Sequence, residues 1–205
     1  QNKQLKLALL PKRIAVISVE TSKGFSDFKS VIDDNGWDYK FFYMLFPSLL
    51  QGDKAAGQII GQLNRIKKVS HHFDAAAIIR GGGGDVGLSC YNDYQLAREI
   101  ATFPLPVLTG IGHSTNETVA EMVAFSNNIT PTKLAEFLIQ KFHDFSVPVQ
   151  KASDRIKEIP IRILSDEKSK LDSTFKIFRS TVQNLTDGHK NALERLSIGI
   201  QKDSL

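Results

Sequence analysis

Ala75-Ala76-Ala77-Ile78-Ile79-Arg80-Gly81-Gly82-Gly83-Gly84-Asp85 is the stretch on which the reading of this chain turns. Its first five residues form a short, continuous apolar run of the kind buried in a parallel sheet. The strand ends in an arginine, and the chain then loses its side chains for four residues. Glycine admits positive φ and lets successive N–H groups converge into an anion-binding nest. Arg80 adds a planar fork of donors suited to a phosphate. A tight strand-to-helix turn with an arginine in a surface ion pair is the plainer alternative. Such a turn needs one or two glycines, not four.

Working outward, the flanking sequence alternates strand and helix signals. Strands are predicted over 13–19, 39–45, 74–79 and 106–111. Helices are predicted over 24–35, from an Asp53 cap to about Lys68, over 92–102, and from Thr115 to about Ala124. This βαβαβαβα order implies an α/β fold: a parallel sheet with helices on both faces. Ligands of such sheets bind at the carboxyl ends of the strands. Three segments fall at those ends: 18–27 after the first strand, 80–85 after the third, and Gly110-Ile111-Gly112-His113 after the fourth. The fold would gather them on one rim.

Beyond Thr130-Pro131-Thr132 glycine almost vanishes and a 4-3 apolar spacing takes over. Leu138, Phe142, Phe145, Val149, Ala152, Ile156, Ile159 and Ile163 form one stripe. Leu171, Phe175, Phe178, Val182, Leu185, His189, Ala192 and Leu196 form a second. This is coiled-coil spacing. The stripes are out of phase, since Ile163 plus seven gives Lys170 whereas the second begins at Leu171. With Pro148 and Pro160 in the run, bends or a broken helix are expected. The division expected is an α/β domain over 12–131 and a truncated helical region over 132–205. Stripes this apolar need to pack on another helix of the chain, on a second copy, or on a partner.

Composition narrows the function. The 205 residues carry a formal charge of +4, which permits nucleic-acid binding without requiring it. No run of ~18 apolar residues and no signal-peptide pattern occurs, which predicts a cytoplasmic protein. The single cysteine, Cys90, excludes an intrachain disulfide and a cysteine metal cluster. No Asp-x-Asp or His-x-His pattern suggests a metal site. Phosphodiester chemistry here would rest on Arg, His and backbone N–H groups, with no cofactor required.

His113, between a strand and a helix, suits a general acid or base, or a donor to phosphate. A helix-start histidine bonded to backbone is the alternative. Ser114 or Thr115 suits the helix cap, and Asn116 suits a position pointing into the rim. Asp27 reads either as a site carboxylate or as compensation of a helix dipole. Lys23 and Ser22 lie near the same loop and suit contact with phosphate. His71 and His72 precede the third strand, at the wrong rim, and read as surface residues.

Five segments together resemble the large subunit of exodeoxyribonuclease VII, a bacterial nuclease of single-stranded DNA. They are Pro11-Lys12-Arg13-Ile14-Ala15-Val16-Ile17, Gln51-Gly52-Asp53-Lys54-Ala55-Ala56, Ile79-Arg80-Gly81-Gly82-Gly83 with Tyr91-Asn92, Gly110-Ile111-Gly112-His113 with Thr115 and Thr118, and Thr130-Pro131 with Ala135-Glu136. The match covers roughly residues 10–145. The resemblance implies a catalytic domain followed by a helical region that binds several copies of a small subunit. It implies an OB-fold ahead of this chain, with residues 1–11 as its linker, that would bind single-stranded DNA. It also implies metal-independent hydrolysis from both ends to oligonucleotides. The family's functional Asp, Arg and His match Asp27, Arg80 and His113; Gly81, Gly82, Gly83 and Gly84 are expected to bind phosphate through their backbone N–H groups.

Three departures separate this chain from the family pattern. Asn116 stands where the family has an acid, so it can hydrogen-bond water or phosphate but cannot act as a base. Val86-Gly87 replaces an acidic pair. The loop Val19-Glu20-Thr21-Ser22-Lys23 lacks the family's Thr-Ser-Pro-x-Gly pattern, so Asp27 is placed by counting. Two readings follow: a nuclease subunit, or a DNA-binding scaffold subunit that keeps a phosphate site. A small phospho-ligand enzyme of the same α/β class is a third.

Overall fold

Short β-branched and alanine-rich runs pair into one all-parallel sheet in the computed structural model, which describes residues 1–81, 87–112 and 117–202. The strands are β1 (Arg13–Ser18), β2 (Phe42–Pro47), β3 (Ala75–Ile79), β4 (Val107–Gly110) and β5 (Ser126–Asn127), in the order β2-β1-β3-β4-β5. The helices are α1 (Lys23–Asp33), α2 (Ala55–Lys68), α3 (Tyr94–Thr102), α4 (Val119–Val123) and α5 (Pro131–Lys202). The order reverses between β1 and β3, so the crossovers from these two strands leave toward opposite sides. That is the point where such sheets open a crevice at their carboxyl edge.

The period of two along each strand divides the core. Ala15 and Ile17 of β1 and Ala76 and Ile78 of β3 face Ile59, Leu63 and Ile66 of α2 and Leu96 and Ile100 of α3. Ile14, Val16, Ala75, Ala77 and Ile79 face the other way, onto Phe25, Phe28 and Ile32 of α1 and Leu134 and Leu138 of α5. Helices cover both faces, as the alternating pattern predicted.

Local signals account for the element ends. Ser22 caps α1, its Oγ accepting the Phe25 N–H at 3.2 Å. Asp93 caps α3 by accepting the Leu96 N–H at 2.9 Å. Four expectations need correction. Lys54, not Asp53, holds the cap position of α2 and makes no side-chain cap bond. The fourth helix begins at Val119, with Thr118 and Glu121 forming a reciprocal capping box. The expected helix start at Thr115, with Ser114 or Thr115 as cap, therefore does not hold; both residues lie outside those described. β5 was not expected, because Ser126 and Asn127 carry no strand signature and are strand only through pairing with Leu108 and Thr109. Finally, α5 runs through Pro148 and Pro160 without a break in its assignment. A proline removes one donor from a helix that holds many others, so it need not end it.

The chain falls into two units, Gln1–Pro148 and a second that begins at Val149. The first takes in the opening residues: Asn2 is fully buried and donates to the carbonyls of Phe103 (3.1 Å) and Leu105 (2.8 Å) while accepting from Val107 N–H (2.9 Å). Leu134, Ala135 and Leu138 at the start of α5 are equally buried in that unit's core. The second unit is helical, and its Ile156, Leu171, Phe175 and Phe178 are exposed. No helix among the described residues is long and apolar enough to cross a membrane.

Candidate functional site

The carboxyl ends of β1, β3 and β4 come together through backbone contacts. Arg80 N–H donates to the Gly110 carbonyl at 3.0 Å, which ties the exit of β3 to that of β4. Ser18, the last residue of β1, is buried and donates from Oγ to the Ile79 carbonyl at 2.7 Å. Gly112 takes φ +80°, a left-handed conformation that glycine adopts without strain.

A cleft of about 480 Å³ opens at this rim. One wall is the N-terminal part of α1, with Lys23, Gly24 and Asp27. A second is Arg80 and Gly81, and Gly112 closes a third side. Ile129, Thr130, Pro131 and Thr132, at the start of α5, complete the lining. Of the residues singled out by sequence, Lys23, Asp27, Arg80 and Gly81 are thus brought together. Gly82, Gly83, Gly84, His113, Ser114, Thr115 and Asn116 lie outside the described residues. Gly112, which immediately precedes His113, lines the cleft.

The electrostatics of the cleft are positive by construction. Two helices, α1 and α5, begin at its edge, and neither has an acidic residue in its first turn. Their unpaired N–H groups and aligned peptide dipoles therefore favour an anion. Thr130 satisfies one of those donors, its Oγ1 accepting the Lys133 N–H at 3.1 Å. Lys23 is exposed, and Asp27 lies one turn further along the same face, half-buried.

Arg80 is 3% exposed. Alternation along β3 places its side chain on the face of Ala76 and Ile78, where Cys90 and Tyr91 pack. Its charge is felt there. Burial pushes the Cys90 thiol up, and the Arg80 charge opposes that shift. Burial and Cys90 push the Tyr91 phenol up, again against Arg80. Tyr91 is itself buried and donates to the Leu50 carbonyl at 3.0 Å. Arg80 is therefore a buried cation rather than a fork held out in solvent.

Residues beyond those expected also shape the rim. Thr130, Pro131 and Thr132 read in sequence as a domain exit, and only the packing of α5 makes them a cleft wall. Asn92 accepts the Val119 N–H at 3.0 Å, fixing the start of α4. Glu121, buried, accepts from Thr118 N–H at 2.8 Å and from Thr118 Oγ1 at 2.7 Å. Among the described residues no group of three or more His, Cys, Asp or Glu side chains is placed to hold a metal ion. His71 and His72 are exposed at the amino end of β3, away from the cleft, as expected.

Fold and rim together define a doubly wound α/β domain with an anion-favouring cleft at the carboxyl edge of its sheet. The family model for the exonuclease VII large subunit matches residues 1–204, and this chain belongs to that family. It is 31% identical over 179 residues to the exodeoxyribonuclease 7 large subunit of Lacticaseibacillus casei, covering 86% of this chain and 38% of the relative. It is 33% identical over 175 residues to that of Ligilactobacillus salivarius, covering 84% and 37%. With that of Deinococcus radiodurans it shares 30% over 161 residues, covering 77% and 38%. The motif resemblance is borne out at the level of the family, and the chain spans well under half the length of these relatives.

Proposed function

We propose that this chain forms the catalytic part of an exonuclease VII large subunit that hydrolyses phosphodiester bonds of single-stranded DNA to oligonucleotides. The observation that carries the reading is the convergence of two acid-free helix N-termini, Lys23 and the buried charge of Arg80 on one cleft. A pentacoordinate phosphoryl group carries more negative charge than the diester it comes from. Preorganised donors aimed at that charge stabilise the transition state selectively. In this reading Arg80 and the N–H groups of Gly81, Gly82, Gly83 and Gly84 hold the scissile phosphate. Lys23, Ser114 and Thr115 contact the DNA backbone.

Water attacks phosphorus, the ester P–O bond breaks, and the leaving oxygen takes a proton. The attacking water loses a proton as the leaving oxygen gains one, and His113 carries one of these two transfers, to the leaving oxygen or from the water. Asp27 orients His113 or activates the water, and Asn116 positions the water or a phosphate oxygen. The donor set asks for no metal or other cofactor. The exposed stripes beyond Val149 serve several copies of a small subunit, within a cytoplasmic hetero-oligomer.

Asn116, in place of an acid, favours one second reading: a scaffold subunit that grips DNA with reduced cleavage. Labelled single-stranded DNA offered to the full-length subunit with its small subunit, in EDTA, separates the two. Cleavage is expected to persist in EDTA. Arg80→Ala and His113→Ala are each expected to lose about two to three orders of magnitude in rate. Binding without cleavage would favour the scaffold. Abolition by EDTA with rescue by magnesium would overturn metal independence, and wild-type rates in both variants would overturn the site.

A further inference from the structure

Gly24, in the first turn of α1, lies backbone to backbone against Gly81, just after β3. A Cβ on Gly24 would stand 2.5 Å from Gly81 N and 2.9 Å from the Arg80 carbonyl carbon. A Cβ on Gly81 would collide with Gly24 N and Cα and lie 3.1 Å from the Lys23 carbonyl carbon. Real Cβ atoms do not come that near to backbone, so both positions must lack one for α1 to seat where it does. Gly57 and Gly61 in α2 have nothing within 4 Å of such a Cβ. The restriction therefore belongs to the rim and not to helical glycines in general.

A hydrogen-bond chain holds the same seat. Ser18 Oγ donates to the Ile79 carbonyl, which can only accept, so the Ser18 proton is committed there. The 3.3 Å contact between the two hydroxyls must then run from Ser22 to Ser18. Ser22 Oγ in turn accepts the Phe25 N–H at 3.2 Å as the cap of α1. The ends of β1 and β3 and the first turn of α1 are thus latched in one directional chain.

We propose that Gly24 is a positioning residue for phosphodiester cleavage, with Ser22 as its latch. Gly24 sets how deeply α1 seats on Arg80 and Gly81. That depth fixes the distance from Lys23 and Asp27, on α1, to the backbone of Arg80 and Gly81 across the cleft. The inference rests on the nuclease reading of the cleft. It assigns Gly24 no contact with substrate. Its role is to keep the two walls of the cleft in reacting register.

The test uses the full-length large subunit with its small subunit and labelled single-stranded DNA, with kcat, KM and thermal midpoint measured together. Displacement of about an ångström at a reacting centre costs on the order of 10²-fold. Gly24→Ala is expected to lower kcat by about that factor while KM stays within about threefold, as for an interaction made only in the transition state. Gly61→Ala, the matched control in α2, keeps wild-type kcat. Ser22→Ala lowers kcat, and Ser22→Thr, which retains the hydroxyl, restores it. If Gly24→Ala fails to fold, the Ser22 pair decides. Wild-type kcat in Gly24→Ala or in Ser22→Ala, or equal losses in Gly24→Ala and Gly61→Ala, would overturn the proposal. Arg80→Ala tells the two failures apart. Wild-type rate there overturns the reading of the cleft, whereas a loss there with normal rates in Gly24→Ala and Ser22→Ala overturns the positioning role alone.

Discussion

Phe28 in α1 is 1% exposed, packed in the sheet's core and edge-on to Tyr43 at 6.3 Å, while Phe175 in the unit beyond Val149 is 66% exposed. The two side chains are chemically identical and both sit on helices. One finds its partners inside Gln1–Pro148, and the other has its apolar surface open to water. Burial of such a side chain is worth roughly 1.5–3 kcal/mol, so the first unit draws its stability from its own sequence. The second leaves comparable apolar surface exposed. A helix with an exposed stripe of this length is stabilised by whatever covers it, since most helical stability comes from packing rather than propensity.

Paired substitutions test that contrast. Phe28→Ala is expected to destabilise the α/β unit by about 3–5 kcal/mol in denaturant unfolding, because the cavity cannot close in a packed core. Phe175→Ala should leave that transition in place. Equal losses at both positions would erase the difference between the units. A double change, Phe175→Asp with Phe178→Asp, should weaken capture of the small subunit by at least about tenfold in co-purification, from two lost burials. Undiminished capture would place the docking surface elsewhere. Truncation after Asp144 should abolish capture while circular dichroism still reports a folded α/β unit.

Smaller effects are expected from the local devices of the first unit. Asp93→Ala removes the cap of α3 and should cost about 1 kcal/mol, read as a lowered thermal midpoint. Asp74 is a test by pH. Burial by itself would raise its carboxyl. Hydrogen bonds from the Arg13 guanidinium and backbone, the Arg13 charge, and the Lys12 N–H together bring it below the usual carboxylate range. A depressed folded pKa contributes stability that is present above the unfolded value of about 3.9 and lost as pH falls through the folded value. Asp74→Asn should therefore lower the thermal midpoint at neutral pH, with the gap to wild type closing in strong acid. A gap that widened in acid would reverse the sign of this account.

Much of the fold was legible because its signals are local. The run ending at Ile79, the strand and helix alternation around it, and the change to 4-3 spacing after Thr132 each state an element within a few residues. The start of α4 was missed, although Thr118 and Glu121 stand at the spacing of a capping box. β5 was not legible, since Ser126 and Asn127 become strand only by lying against Leu108 and Thr109. Asn2 gave no sign that it would be buried, because its three partners lie more than a hundred residues away.

At the cleft the division is similar. The residue types at the rim were readable in the sequence: a cation after β3, glycines that permit close approach, and a lysine and a carboxylate one turn apart on α1. The family was readable there too, since those motifs recur in a fixed order along the chain. Folding in three dimensions was needed to show that Arg80 is buried, that the start of α5 forms the fourth wall, and that Gly24 seats against Gly81. These depend on where helices land on the sheet. That placement follows from the packing of Phe25, Phe28 and Leu134 against β1 and β3, side chains remote in sequence from the cleft they shape.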